Sequence, residues 1–547
     1  MILLPLRQHQ KLMLRKNTSP VIVAAKTKFI FCLCAAFLIN SLYSQTTRLD
    51  SINITDAEKH LRISNPEIAF DNTLLFSDAY LFYNQDDLHF KRIQTPENTA
   101  KFGFGAKGIF RYNSKIILSG NLEVTSENEK DVAYILTDER TTDQNYISNP
   151  SYFYVPRKSD WLKQNYKIGG NLAYRITGNL MVVANVNGAF LKAYGQSDPR
   201  PEIGNFKYDA NVKLGYQIRK HRLFAKIGYF NSRKESDIIY TVSELNAPNY
   251  FDTYIRFNQG YGNYYYNNGY SAAFYQYDGV SYGGEYQFAG NRSFFAVSYQ
   301  NEYYIDRMQK NYSYQIRDAN NVLQTYYDRQ KLTGLKTDRN TVSANFLGNL
   351  GSFKWNSMLN VTDQKDINYD YVNLYTSYRA LNTDYNFTNT FSKYNAKKEK
   401  LSVGFNLNYQ VLDIKDISVV LHKKLNALQY QINSEKEFRI DARQKWSVGL
   451  NQSLYLPLKS ELNYVPYQST QENIFVKNIV QPDYWYDSSS RFSLGLQLKY
   501  LIDLKNVRYE IFATGHQTYF VKNEVPVTNL INTNENRFLG FGFNVYY

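Results

Sequence analysis

The sequence predicts an all-β fold, a transmembrane antiparallel up-and-down β-barrel of about 18 strands, with about 16 as the alternative. Three observations point there. Apolar and polar residues alternate in run after run, each about ten residues long, which is the length a tilted strand needs to cross a bilayer. Aromatic residues make up 16% of the 547-residue chain and Tyr supplies 51 of them, an amphipathic ring suited to the boundary between lipid and water. A short apolar leader opens the chain and an alternating aromatic segment closes it. Mean hydropathy of −0.50 excludes a bundle of apolar helices. It suits a barrel, because only every second strand residue meets lipid.

The leader comes first. Lys26 and Lys28 precede an apolar core, Phe29 to Asn40, and Ser41-Leu42-Tyr43-Ser44-Gln45 follows. A basic stretch, a short apolar core and a small residue before the cut describe a secretory signal peptide over 1–44, cleaved after Ser44. The rival is a lipoprotein cut before Cys32 or Cys34, but both cysteines sit inside the apolar core. The basic region is long, and Met13 is an alternative start. Beyond the leader no cysteine remains, so no disulfide or thiolate metal site is available.

Residues 45–76 are expected to form a periplasmic arm or small plug, and 77–547 the barrel. Between Lys101 and Tyr112, one face carries Phe102, Phe104, Ala106, Phe110 and Tyr112, and the other Lys101, Gly103, Gly105, Lys107 and Arg111. Phe206, Tyr208, Ala210, Val212, Leu214, Tyr216 and Ile218 share a face, as do Leu401, Val403, Phe405, Leu407, Tyr409 and Val411. Short turns fall near 113, 178, 220, 290, 351, 397, 442 and 505. With a first strand near 77–90 and a last near 536–547 they yield the even strand number that puts both termini on the periplasmic side. Long outer connections are expected near 125–165, 231–279, 304–337, 362–382 and 457–489, and a hairpin inside 231–279 would raise the count. A soluble β-protein is the competing reading. Its apolar faces would line a core.

Formal net charge is +14, and since the first 44 residues carry six cations and no acid, +8 remains beyond them. The excess suits attraction to anionic lipid headgroups. Nucleic-acid binding is not indicated, since no basic cluster dominates. On the polar strand faces, Lys101, Lys107, Arg111, Lys167, Arg175, Lys213, Lys226, Lys354, Lys499 and Arg508 are the lumen-facing candidates, with Glu123, Glu285 and Glu510 among the acids. Such charges either favour anions in an open pore or pair with acids and close it. Facing lipid at the midplane, each would cost about 2–4 kcal/mol.

No catalytic or metal motif appears, and no cofactor is implied. The histidines form no H-E-x-x-H pattern, and phosphate loops and G-x-S-x-G elbows are absent. The strongest enzymatic candidate is Asp86-Asp87-Leu88-His89, where an acid and a His could activate water.

The chain ends in Leu539-Gly540-Phe541-Gly542-Phe543-Asn544-Val545-Tyr546-Tyr547. Phe541, Phe543, Val545 and Tyr547 share a face, and the segment resembles the terminal strand of outer-membrane barrels, whose last aromatic is read by the barrel-assembly machinery. Ile63-Ser64-Asn65-Pro66-Glu67 is similar to the start of hydrophobic-compound transporters of the long-chain fatty-acid type, although Glu67 stands where a small residue is usual. The Tyr/Asn-rich composition and the Ser-Gln cleavage site resemble Bacteroidota outer-membrane barrels of uncharacterised function. The resemblance implies outer-membrane lipid and the assembly machinery as partners, with a neighbouring receptor or surface lipoprotein as a further one. A TonB-dependent receptor is the large alternative, but alternation starting by residue 101 leaves no room for its globular plug. The expected function is passage or uptake of a solute, the second a non-transporting scaffold or accessory barrel, and the third an embedded hydrolase.

Overall fold

The computed structural model describes residues 56–70, 75–140, 149–260, 263–266, 272–290, 293–317, 323–395, 399–465, 476–504, 507–521 and 535–547. The leader and its cleavage site lie outside them. Eighteen strands form one closed antiparallel barrel. In chain order they are β1 (Phe76–Leu88), β2 (Asn98–Arg111), β3 (Ile116–Val132), β4 (Ser159–Arg175), β5 (Leu180–Gly195), β6 (Arg200–Ile218), β7 (His221–Ile239), β8 (Ala272–Ala289) and β9 (Ser293–Arg317). They continue as β10 (Leu323–Leu350), β11 (Phe353–Asp370), β12 (Tyr378–Tyr394), β13 (Lys400–Asp416), β14 (Leu421–Arg439), β15 (Gln444–Tyr464), β16 (Ser490–Leu504), β17 (Val507–Val521) and β18 (Glu535–Tyr546).

Each strand pairs with the next, and β18 pairs with β1 through Leu81↔Phe543 and Tyr83↔Phe541. Beyond that ladder, Tyr547 N–H donates to Ser77 O at 2.8 Å. Closure leaves the sheet no free edge, the condition for placing backbone in hydrocarbon. Of the eight expected turns, those near 113, 178, 220, 290, 351 and 442 join alternate strands at one end, here the turn end, and those near 397 and 505 lie outside the described residues.

The alternation sets the two surfaces. Ile168 and Ile227 on the outer face are 63% and 68% exposed, and Leu214, Leu496 and Phe541 lie on the same surface. Ser119, Lys213, Arg222 and Gln287, on the opposite face of their strands, are buried inside. An exposed apolar belt of this extent is the reverse of a soluble β-protein. At the seam, the inward rings of Tyr80 and Phe82 lie across Gly105 and Gly103 of β2, where an added Cβ would stand 2.3 Å from either ring. Only glycine lets a ring lie that close to the wall.

Strand length departs from expectation. The strands run from 12 residues in β18 to 28 in β10 rather than about ten. The stretches 304–337 and 362–382, expected as loops, are mostly paired strand: β9 and β10 extend to Arg317 and from Leu323, and β11 and β12 to Asp370 and from Tyr378. Beyond the apolar belt the outer face carries polar residues as well, so alternation fades while ladder hydrogen bonds continue to satisfy the backbone. Long and short connections also do not alternate as strictly as expected, because 196–199 and 417–420 at the loop end are tight. Strands do lie inside 231–279, Arg256–Gln259 and Asn263–Tyr266, but they pair with each other and with Tyr152–Tyr154 in a separate three-stranded sheet.

Candidate functional site

The lumen is filled from both ends. At the turn end, helix α1 (Asp56–Ser64) and a 3-10 turn (Pro66–Phe70) lie against the inner wall. The last carbonyls of a helix lack internal partners. Here the wall supplies donors: Ser119 Oγ and Asn171 Nδ2 donate to Ile63 O at 2.7 and 2.9 Å, and Arg111 donates to Ala69 O. Lys59 pairs with Asp78 at 2.9 Å. Glu67, fully buried, pairs with Lys213 at 3.0 Å and accepts from Gln287 at 2.8 Å. Lys213 also reaches Glu285 at 3.1 Å and donates to Asn65 Oδ1 at 2.7 Å. One lysine thus compensates two carboxylates, although the second carboxylate oxygen of Glu67, Oε2, is buried without a hydrogen bond.

At the loop end the fill is apolar. Segments 133–140, 149–158 and 476–489 fold inward, and Trp161, fully buried, packs with Val132, Ile135, Tyr152, Leu335, Leu425 and Val480. These residues come from strands around the barrel and from two connections, so the core spans the lumen. Charges sit around it in compensated groups. Glu129 binds Lys163 at 2.7 Å and Arg140 at 2.9 Å, and Arg140 stacks 4.6 Å from the Trp161 ring centre. Asp138 pairs with Lys234 at 3.1 Å and accepts from Asn205 at 3.0 Å.

Helix α2 (Gln481–Asp487), part of the 476–489 connection, is tied in by two carboxyls. Asp487 bridges Arg92 at 2.8 Å and Lys423 at 2.6 Å. Burial opposes its ionisation, but Arg92 and Lys423 outweigh burial and hold it at about 2. Asp483 accepts the Ile93 N–H at 2.9 Å, and burial, aided by the neighbouring Asp487 charge, pushes it up to about 6. Tyr486 from the same helix and Tyr455 from β15 sandwich the Arg491 guanidinium at 4.3 and 3.8 Å.

Beside the loop-end fill lies a cavity of about 580 Å³ lined by Asp86, Lys91, Glu127, Lys163, Arg491 and His516 among others. Beside it, also touching His516, is a cavity of about 240 Å³ lined by Thr390, Asn433, Asn451, Gln497 and Thr514.

The ten cations singled out in the sequence lie on the strand faces turned away from the apolar belt. Lys101 pairs with Glu127 at 2.7 Å, Lys167 with Glu123 at 3.3 Å, Lys499 with Glu435 at 2.8 Å and Arg508 with Asp503 at 2.5 Å. Lys226 donates to Gln300 at 2.7 Å, Arg175 stacks on Phe70 at 4.3 Å and Lys354 lies 5.9 Å from the Tyr394 ring centre. Lys107 stands opposite Asp78 in the β1–β2 ladder. With Lys213 and Arg111 already placed, they are spread along the wall and joined to acids, amides, rings or carbonyls. Asp86 and His89 are not brought together: Asp86 lines the larger cavity, while His89 lies 3.5 Å from Asp87, whose strand face is the outer one. Among the described residues no group of His, Cys, Asp and Glu can hold a metal. Sequence reasoning did not single out Trp161, Arg491, Asn451 or Gln497. The alternation puts all four on the inward faces, which was the available signal.

The sequence model of one protein family matches residues 68–547. The chain belongs to that family, one of unknown function (DUF6850). The match covers the whole barrel and begins at Ile68, within the 3-10 turn packed inside it. No curated protein matches the sequence. Among solved structures, the chain is similar to the outer membrane transporter YddB from Escherichia coli at 6% identity and a TM-score of 0.38, covering 86% of this chain and 81% of that one. It is similar to BauA, the ferric preacinetobactin receptor from Acinetobacter baumannii, at 9% and 0.35, covering 86% and 80%. The pyoverdine-bound FpvA of P. aeruginosa stands at 9% and 0.40, covering 86% and 72%. Likeness at this level carries no functional argument.

Proposed function

We propose that this family member is an integral outer-membrane barrel that takes up a polar solute without covalent chemistry, and that the arrangement described above is its closed state. The observation that carries the reading is the cavity of about 580 Å³, lined largely by polar side chains, beside the loop-end fill of a barrel whose turn end also holds an internal segment. A protein that served only as a wall would have no need of such a space. In this reading the turn end faces the periplasm, residues 1–44 direct secretion, residues 56–70 act as the plug, and Phe541, Phe543, Val545 and Tyr547 present the assembly signal. The lining favours a hydrophilic solute over the apolar cargo that the Asn65-Pro66 resemblance implies.

Deleting residues 46–70 tests the proposal in planar bilayers. The strands and their closure are left intact, so conductance should rise well above that of the full chain. Unchanged conductance would sink the plug and favour a scaffold that docks surface partners. One observation supports that second reading. Val372, Leu374, Ile417 and Val420 stand exposed on two adjacent loop-end turns, with Leu374 and Val420 held at φ of 58° and 48°. Positive φ is costly for such side chains, and an apolar tip maintained against strain suits a partner.

A further inference from the structure

The smaller cavity has a regular wall. Across β13 to β18 its residues fall into cross-strand rows. One row reads Gly404, Asn433, Asn451, Gly495, His516 and Phe538, each opposite the next in the ladders. The row one step nearer the turn end contains Gly449, Gln497, Thr514 and Gly540. In another part of the lumen polar groups bond one another in a chain. Lys226 donates to Gln300, Gln300 to Glu302, Arg339 to both Glu302 and Gln364, and Gln364 to Asp366. In the two rows, by contrast, Asn451, Gln497 and Thr514 make no side-chain hydrogen bond to any described residue, and all three line the cavity.

The glycines point the same way. A Cβ on Gly404 or Gly449 would find its nearest neighbours at 3.5 and 3.4 Å, ordinary contact, and neither residue has a positive φ. The wall therefore does not need glycine at these positions, and glycine weakens a strand. Their absent side chains instead leave a trough between the amides. An amide sets a carbonyl acceptor beside an NH₂ donor, a pair that matches two neighbouring hydroxyls. At the end of the trough His516 stacks flat on Phe538, with centroids 4.6 Å apart and planes at 17°. Such a platform suits the C–H face of a pyranose ring. The carboxylate lining the trough, Glu435, is engaged by Lys400 at 3.0 Å and Lys499 at 2.8 Å. An ionic ligand would lose its hydration against uncharged amides without a dedicated counter-charge.

We propose that this trough binds a neutral polyhydroxylated ligand, a small carbohydrate, with Asn451 and Gln497 bonding its hydroxyls and His516 stacking on its ring. The assignment rests on the uptake reading and names its class of solute. Equilibrium dialysis of the full chain in a detergent without a sugar headgroup tests it. The probes are radiolabelled glucose, maltose and maltotriose, with gluconate and glucosamine as charged controls. Saturable binding of at least one neutral sugar, with neither control bound, is expected. Asn451→Ala and Gln497→Ala should each weaken it about tenfold, the equivalent of one lost hydrogen bond. Gly449→Ala should weaken binding while leaving barrel stability equal or higher, an outcome that a purely structural role for the glycine would not produce. The measurements are repeated on the protein lacking residues 46–70, whose turn end is unplugged, so that access is not limiting. No neutral sugar bound by either protein, or controls bound as tightly as sugars, overturns the assignment. The uptake reading fails separately, if the deletion of 46–70 leaves conductance unchanged.

Discussion

The two ends of the lumen are closed by different physics. At the turn end the chain's own α1 segment is anchored by directed contacts: carbonyls of Ile63 and Ala69 receive donors from the wall, and Glu67 shares Lys213 with Glu285. At the loop end, inward-folded connections bury an apolar core around Trp161, and charges surround it. A charge-anchored segment depends on a few groups and can be released by removing one. An apolar core depends on many contacts and gives way gradually. The turn end is therefore the one built to open, and the loop end the one built to hold its shape around a ligand.

Three perturbations probe that contrast. The largest effect is expected from Trp161→Ala, which empties the centre of the loop-end core at a cost of about 3–5 kcal/mol. Trypsin should then cut within 133–158 while the α1 segment stays protected. If both ends become sensitive together, the ends are not independent. Next comes Lys213→Ala, which leaves two buried carboxylates without their shared cation. About 3 kcal/mol should be lost from the docking of α1, the low end for a broken buried pair because Gln287 still bonds Glu67. Conductance should rise as in the deletion, with loop-end protection unchanged, and a silent variant would break the comparison.

The smallest effect is expected from pH, and its sign differs between two neighbouring carboxyls. Asp487, held at about 2, adds stability that is present above the ordinary carboxylate value and is lost as pH falls towards 2. Asp483, raised to about 6, binds a proton in the closed loop that the open loop releases, so closure weakens as pH rises from about 4 to 6. Amide hydrogen exchange across 476–489 should show greatest protection near pH 4. Asp483→Asn should remove the loss between 4 and 6 and tighten the loop at neutral pH. Unaltered pH dependence in that variant would exclude Asp483 as the cause.

Much of the fold was legible because its signals are local. The alternation in Phe206–Ile218 and Leu401–Val411 fixes which face meets lipid, and turns such as Asn113-Ser114 and Gly351-Ser352 fix where strands end on one side. On the other side strand ends were missed, since Tyr326, Asp328, Arg329, Gln330 and Lys331 in β10 show no alternation although the backbone pairs throughout. The lumen was legible only in part. The pair Lys101–Glu127 follows from the register of adjacent strands. The cluster of Glu67, Lys213 and Glu285 joins segments more than seventy residues apart, and nothing local marks them as partners. Tyr152-Phe153-Tyr154 sits in a stretch expected as a polar loop, yet its three rings are buried inside the barrel.

The sequence by itself determined an antiparallel barrel of this size, its greasy outer face and the inward direction of its cations, because alternation with a period of two is a property of neighbouring residues. Only the tertiary structure decided which inward groups neutralise one another, which connections turn into the lumen and which amides are left facing a cavity. Those outcomes depend on closure of the ring, which brings strands distant in the chain around one shared lumen.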